Sequence, residues 1–165
     1  MIRFTTFNTP LGEMTGASFE NQVCLLEFTD RVKMERQLKS LEKYYGKEKS
    51  YESDEVLEEM KSQLDQYFKG ERKEFTLPLI YRGTPFEERV WTELLQVPYG
   101  TTRSYGEQAV RLGDIKAVRA VAGANSRNRI AIIIPCHRII GKKGKLTGYA
   151  GGLDRKARLL EWEKN

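Results

Sequence analysis

Cys136 and His137 place a thiol beside the only imidazole of the chain, directly after an apolar run and Pro135. Histidine can take the proton of a cysteine thiol, and the resulting thiolate is the reactive nucleophile. We expect residues 130–134 to form a strand buried on both faces, because continuous apolar runs are typical of such strands. Contact between the two side chains would then need a bend at Pro135 or a bridging water. An inert buried cysteine beside a core histidine is the alternative.

Glu163 is the candidate third member of this site. A last helix is expected near the end of the sequence. At 100° per residue its inward face is marked by Leu153, Ala157, Leu159 and Leu160. Glu163 falls on the same face, between Leu159 and Leu160, and an inward carboxylate needs a cationic or hydrogen-bonding partner. His137 would complete a Cys–His–Glu set with the logic of a catalytic triad. A nearby arginine is the other candidate partner.

A short helix, a glycine-containing turn and a second helix precede this site. Ser104 and Glu107 fit a capping box, Gly113 ends the first helix, and Asp114 caps a second helix expected from residue 115 to about residue 124. This order is typical of helix-turn-helix DNA-binding motifs. The second helix carries small residues around one long cation, Arg119, and such a helix fits a minor groove about 6 Å wide. Close packing against the core is the alternative use of small residues.

The remaining pattern predicts strands first and helices later. Strands are expected at residues 2–7, 14–19, 22–28 and 75–79, with helices at 32–45, 54–68 and 84–96. The predicted fold class is therefore α/β (α+β). We expect a small N-terminal α/β domain at residues 1–78 and a mostly helical C-terminal domain at residues 79–165, which carries the helix-turn-helix and the reactive cysteine.

Composition excludes several classes of protein. The 165 residues are 39% hydrophobic and 31% charged, which is typical of a soluble globular protein. No apolar run approaches the roughly 20 residues that span a bilayer, and two cysteines with one histidine cannot complete a four-ligand zinc site. We therefore expect a cytoplasmic protein with no metal and no membrane contact. The net charge of +5 is concentrated in residues 84–165, which indicates a polyanionic partner, with a solvated basic surface as the alternative.

The motifs of the second half occur in the order and spacing of a known family. The sequence Pro135-Cys136-His137-Arg138 resembles the active-site signature of the O6-alkylguanine-DNA alkyltransferases, also called methylated-DNA–protein-cysteine methyltransferases. The similarity extends to residues 97–100, 104–105, 117–121, 125–128, 148–153 and 159–163. The first half resembles the family's ribonuclease H-like domain only in length and in the order of its elements.

The resemblance implies DNA repair by direct damage reversal. The target nucleotide is flipped out through the minor groove, and Cys136 irreversibly accepts a methyl or other alkyl group from O6 of guanine. The thioether is stable, so each molecule reacts once, without cofactor or metal. The implied partner is double-stranded DNA containing O6-alkylguanine, and we expect a monomer. The sequence leaves open both the preferred alkyl group and activity on O4 of thymine.

The resemblance also implies a role for each matching residue. His137 takes the thiol proton through a water, Glu163 holds the imidazole, and Tyr105 helps to rotate the nucleotide and donates to the guanine ring. Arg119 fills the gap left by the flipped base. The remaining DNA-binding residues are Ala120, Gly123, Asn125 and Ser126, and the remaining pocket residues are Asn128, Ile139, Tyr149, Ala150 and Gly151. Asn128 braces the turn before the cysteine, and Arg129 adds a cation where the family commonly has proline.

Three other classes of protein share some of these features. A lesion-binding relative without transfer activity typically carries tryptophan in place of Cys136. A helix-turn-helix repressor would not need the Cys–His–Glu set, and a thiol hydrolase would not need the basic half. Each alternative therefore leaves one feature of the sequence unexplained.

Overall fold

The chain folds as two units, Met1–Arg82 and a second that begins at Gly83, in a computed structural model that describes residues 1–164. Among these residues, no helix is both long enough and apolar enough to cross a membrane.

The first unit is a four-stranded sheet with two helices. Its elements are β1 (Ile2–Thr9), β2 (Gly12–Phe19), β3 (Gln22–Phe28), α1 (Met34–Tyr45), β4 (Lys49–Ser50) and α2 (Glu55–Phe68). The order across the sheet is β3-β2-β1-β4; β4 runs parallel to β1, and the other pairs are antiparallel. Glu20 and Asn21 both have positive φ between β2 and β3, as a two-residue hairpin turn requires. The predicted hairpin is confirmed.

The second unit is mostly helical. Its elements are α3 (Pro85–Leu94), β5 (Arg103–Ser104), α4 (Tyr105–Arg111), α5 (Val118–Ser126), β6 (Ile139–Ile140) and α6 (Leu153–Glu163). Short 3₁₀ helices cover Ile115–Ala117, Cys136–Arg138 and Lys142–Gly144. Capping boxes begin α3 at Thr84 and α4 at Ser104, each closed by a glutamate three residues later. The helix-turn-helix order of α4 and α5 agrees with the sequence, with one turn of 3₁₀ helix before α5.

The strand predicted at residues 130–134 is wrong. These residues form a buried turn in which the Ile134 N–H donates to the Ile130 carbonyl at 3.0 Å. Ile132 has a φ of 70°, the left-handed region that β-branched residues rarely enter. An unbroken apolar run indicates that the segment is buried on every side. A buried turn meets this condition as well as a buried strand does.

Two other expectations also need correction. Residues 75–79 contribute a single parallel bridge, from Leu79 to Val23, instead of a strand. In α6, Leu153 is 48% exposed whereas Lys156 is fully buried. Helical periodicity located the inward face through Leu159 and Glu163, but hydrophobicity alone gave no reason to place a lysine on it.

Candidate active site

Asn128 organises the turn that presents Cys136. Its side-chain oxygen accepts from the Ile130 N–H at 3.0 Å, and its Nδ2 donates to the Ile134 carbonyl at 2.8 Å. The same Nδ2 lies 3.3 Å from Sγ of Cys136. Cys136 is partly exposed, at the start of a one-turn 3₁₀ helix. The amide that stabilises the turn therefore also faces the sulfur, where a donor favours the thiolate over the thiol.

His137 pairs with Glu163 in the interior of the second unit. Nε2 of His137 lies 2.8 Å from Oε2 of Glu163, and both side chains are buried. Burial alone would raise the pKa of Glu163, but hydrogen bonds and charges from His137 and Arg138 outweigh it and hold this pKa well below its usual range. Because the carboxylate is ionised, we assign the imidazole proton to Nε2.

The other ring nitrogen of His137 is then the basic atom. Nδ1 is buried and accepts no hydrogen bond from residues 1–164. Burial lowers the pKa of His137, against the opposing effect of Glu163, so the ring is neutral at neutral pH. A neutral imidazole with an available lone pair can accept a proton from a neighbouring thiol.

Arg138 shares the carboxylate with His137. Its Nε donates to Oε1 of Glu163 at 2.7 Å, and one terminal nitrogen donates to Oε2 at 3.0 Å. The sequence left an imidazole and an arginine as alternative partners of Glu163. The carboxylate binds both.

Tyr105 and Lys156 converge on one backbone carbonyl. The Tyr105 hydroxyl donates to the Thr147 oxygen at 3.0 Å, and the Lys156 ammonium donates to the same atom at 2.7 Å. Burial raises the pKa of Tyr105, so its hydroxyl keeps its proton. At Gly148, where φ is +59°, a Cβ would lie 3.3 Å from that hydroxyl, so a side chain there would be crowded as well as strained.

Lys156 is the site residue that sequence reasoning missed. Its side chain is buried, and its Nζ lies 5.7 Å from the centroid of the Tyr105 ring. Burial lowers its pKa, while charge on Cys136 acts in the opposite direction. The available signal was its spacing of three and seven residues from Leu159 and Glu163, which puts all three on one face of α6.

The predicted pocket residues lie in two segments close to these groups in the chain. Ile139 is buried directly after the Cys136–Arg138 turn, and Tyr149, Ala150 and Gly151 are partly buried in the turn that leads into α6. Their contact with a substrate stays a prediction.

The exposed side of α5 carries most of the predicted DNA-binding residues. Arg119, Ala120 and Ser126 are exposed, and Gly123 is partly buried. Among these four, Arg119 is the only side chain that is both long and charged, so it can extend beyond the helix surface.

Asn125 does not share this exposed face. Its amide exchanges two hydrogen bonds with the buried amide of Gln108, at 2.8 and 2.9 Å. These contacts join α4 to α5 and leave the Asn125 side chain inside the helix-turn-helix, so the expected DNA contact through this side chain needs correction. Arg129 is also buried, with its guanidinium 5.1 Å from the Trp91 ring of α3.

The described residues contain no metal-binding cluster. Among residues 1–164, no group of three or more His, Cys, Asp or Glu side chains is arranged to hold an ion.

Comparison with known proteins places both halves in one family. The ribonuclease-like domain of 6-O-methylguanine DNA methyltransferase matches residues 2–81, and the DNA binding domain of that family matches residues 85–165. These matches cover both units, and the chain belongs to the 6-O-methylguanine DNA methyltransferase family. The predicted fold class is thereby confirmed, with a ribonuclease-like first half and a helical DNA-binding second half.

Individual relatives match nearly the whole chain. The constitutive methylated-DNA–protein-cysteine methyltransferase of Bacillus subtilis is 44% identical, covering 99% of this chain and 96% of the relative. The Methanosarcina acetivorans methylated-DNA–protein-cysteine methyltransferase is 43% identical, covering 97% of each. The crystal structure of Mycobacterium tuberculosis OGT in complex with DNA has a TM-score of 0.86 and 41% identity, covering 98% of this chain and 92% of that one.

Proposed function

We propose that this protein repairs alkylated DNA by moving a methyl or other alkyl group from O6 of guanine to Cys136, once per molecule. The observation that carries this proposal is a partly exposed sulfur next in sequence to a buried imidazole that is paired with a carboxylate. The names of the relatives support the same reaction. No step requires a cofactor or a metal.

The reaction begins with removal of the thiol proton. Nδ1 of His137 accepts it, through a bridging water where the two atoms are not in direct contact, and Glu163 stabilises the imidazolium that forms. The thiolate attacks the alkyl carbon, a C–S bond forms, and the bond between that carbon and O6 breaks. The bonding electrons pass to the guanine ring, which then takes up a proton, so that the proton lost by the thiol is balanced by the one that guanine gains. The product is a thioether, which has no group beside it to cleave it.

Tyr105 stabilises the leaving guanine. Its hydroxyl is protonated and partly buried, and it donates to the Thr147 carbonyl in this structure. We propose that it turns to the guanine ring nitrogen as negative charge develops there, while Lys156 keeps its own hydrogen bond to Thr147. Tyr149, Ala150, Gly151 and Ile139 form the walls of the base pocket in this proposal.

DNA binds along α5 in this proposal. The alkyl carbon is inaccessible inside the stack, so the nucleotide must be flipped out at a cost of a few kcal/mol. The small Ala120 and Gly123 let the helix approach the minor groove, and the exposed Arg119 occupies the space that the base leaves. We assign the reaction to the C-terminal domain, which the sequence predicts at residues 79–165. We propose that the protein acts as a monomer. We place it in the cytoplasm because a reducing compartment keeps such a thiol reactive.

Stoichiometry tests the proposal. The protein is incubated with an excess of duplex DNA that contains one O6-methylguanine, and intact-protein mass spectrometry follows the adduct. We expect one added methyl per chain, located on Cys136 by peptide mapping, with an equal amount of guanine restored. The Cys136→Ala variant should bind the duplex without accepting methyl.

The second cysteine supplies a matched control. Cys24 is buried in β3 of the first unit, so Cys24→Ala should transfer as the wild type does. Repeated turnover, or restored guanine with an unmodified Cys136, would overturn the proposed function.

A further inference from the structure

Arg138 is a buried arginine whose guanidinium has three identified acceptors. Two of its nitrogens bind the two oxygens of Glu163 in a fork, at 2.7 and 3.0 Å. The third donates to the Val97 carbonyl at 2.7 Å. Two parallel bonds to one carboxylate fix its plane as well as its position.

The segment at residues 97–100 is shaped to support this fork. Val97 supplies the backbone acceptor, and the ring of Tyr99 lies 5.6 Å from the Arg138 guanidinium. Gly100 has a φ of +77°, and a Cβ there would lie 3.2 Å from the Glu163 carbonyl. The segment therefore packs closely behind both members of the ion pair.

We infer that Arg138 is a positioning residue, which aligns Glu163 with Nε2 of His137 and keeps the imidazole neutral, with its lone pair on Nδ1. This inference rests on the proposed function, because it concerns the base of that reaction. Oε2 of Glu163 accepts from His137 and Arg138 together, so the arginine takes part of the negative charge that would otherwise face the ring alone.

The charged groups around His137 act in opposite directions. Glu163 on α6 favours the imidazolium, whereas Arg138 in the same turn and Lys156 on α6 disfavour it. Two other titratable groups lie near the ring. The Cys136 thiol is next to it in sequence, and the pKa of Tyr99 is affected by the charges of Glu163 and Arg138. Removing the charge of Arg138 removes its repulsion of the imidazolium. It also means that His137 no longer shares Glu163 with Arg138, so both changes raise the pKa of the ring.

A higher pKa of His137 would weaken the protein as an alkyl acceptor in mildly acidic conditions. Transfer requires that Sγ of Cys136 and Nδ1 of His137 together hold one proton, since a second proton would occupy the base. Arg138 therefore extends the pH range of the reaction downward.

The single histidine makes the test direct, because every imidazole signal in the NMR spectrum belongs to His137. The ring nitrogens of His137 are titrated in the full-length wild type and in the Arg138→Gln and Arg138→Lys variants. The rate of methyl transfer from duplex DNA is measured over the same pH range. Arg103→Gln is the matched control: Arg103 pairs with Glu93 at 2.5 Å and donates to the Gln96 carbonyl at 3.3 Å.

We expect a neutral ring protonated on Nε2 in the wild type at neutral pH. In Arg138→Gln the protonation midpoint should rise by about one pH unit, and the acid limb of the rate profile should rise with it. Arg138→Lys keeps the charge and loses the fork, so its midpoint should stay near that of the wild type while its maximal rate falls several-fold. Arg103→Gln should leave the midpoint unchanged.

The inference fails if Arg138→Gln folds and shows the wild-type midpoint and rate profile. If that variant does not fold, Arg138→Lys decides, and a wild-type maximal rate would overturn the role of the fork. Both outcomes leave the wild type transferring one methyl per chain. Failure of the proposed function would instead appear as a wild type that transfers none.

Discussion

Glu163 and His137 are 26 positions apart in sequence, yet Oε2 and Nε2 of their side chains lie 2.8 Å from each other in the interior of the second unit. The nucleophile and its base are neighbours in the chain, so local sequence can place them together. The carboxylate comes from the last helix and reaches them only when that helix packs. Formation of the complete site is therefore coupled to folding of the whole unit.

This buried pair should make stability depend on pH. Burial lowers the pKa of His137 in the folded state, so below about pH 6.5 the unfolded chain binds a proton that the folded chain does not. The free energy of unfolding should therefore fall as the pH decreases below that value, with a slope of at most about 1.4 kcal/mol per pH unit. Urea denaturation at several pH values measures it.

His137→Gln is the control for this slope. Since the chain has one histidine, the variant should show little change in unfolding free energy between about pH 7 and pH 5.5. Glu163 causes a second loss of stability: its lowered pKa stabilises the folded state fully above about pH 4.3, and this contribution is lost progressively as the pH falls from there toward the pKa of the folded state. A wild type without slope above pH 5.5 would contradict the buried neutral ring.

Asn128→Asp should damage both the turn and the thiol. The change replaces the donor Nδ2 by an oxygen that faces the Ile134 carbonyl and Sγ of Cys136. We expect a loss of about 1–3 kcal/mol in unfolding free energy and a higher pKa of Cys136. Urea denaturation and the pH dependence of iodoacetamide labelling measure the two effects. Asn8→Asp, at an exposed position of β1, should change neither.

Tyr105→Phe should slow alkyl transfer while duplex binding persists. The variant keeps the ring that Lys156 faces and loses the hydroxyl that donates to Thr147. If that hydroxyl stabilises the leaving guanine, single-turnover transfer should fall by at least about tenfold. Tyr44→Phe, in the first unit, controls for loss of a hydroxyl in general. Equal rates for wild type and Tyr105→Phe would remove the proposed donor.

Arg119→Ala should separate flipping from chemistry. The exposed side chain lies on α5, outside the hydrogen-bonded site, so reaction with free O6-alkylguanine base should stay near the wild-type rate. Repair of the same lesion in duplex DNA should fall markedly, because the flipped state loses the group that fills the stack. Arg158→Ala, exposed on α6, is the matched change of charge. Similar losses on both substrates would exclude the proposed role in the groove.

Sequence reasoning succeeded where one local rule decided the outcome. The capping box at Ser104 follows from two side chains three residues apart. Glu163 follows from helical geometry, since 100° per residue places it between Leu159, which is buried, and Leu160, which is partly buried. The family motifs then supplied chemistry that these local rules could not.

The errors came from contacts that local sequence does not contain. Asn125 lies in the helix predicted to contact DNA, but its partner Gln108 is 17 positions away. The residues next to Asn125 in sequence therefore gave no indication of a buried amide pair. Lys156 counts as a polar residue in any hydrophobicity pattern. Its burial is possible because its long side chain packs in the interior and its ammonium donates to the Thr147 carbonyl. Both positions are set by tertiary structure.

The left-handed backbone at Ile132 has a consequence for the molecule before it folds. This conformation is unfavourable for an isoleucine, so a free peptide of this sequence would relax to an extended form and release the bend in front of the sulfur. On the nascent or denatured polypeptide Cys136 is then an ordinary thiol. Reactivity toward an alkyl donor is therefore acquired only when the second unit folds.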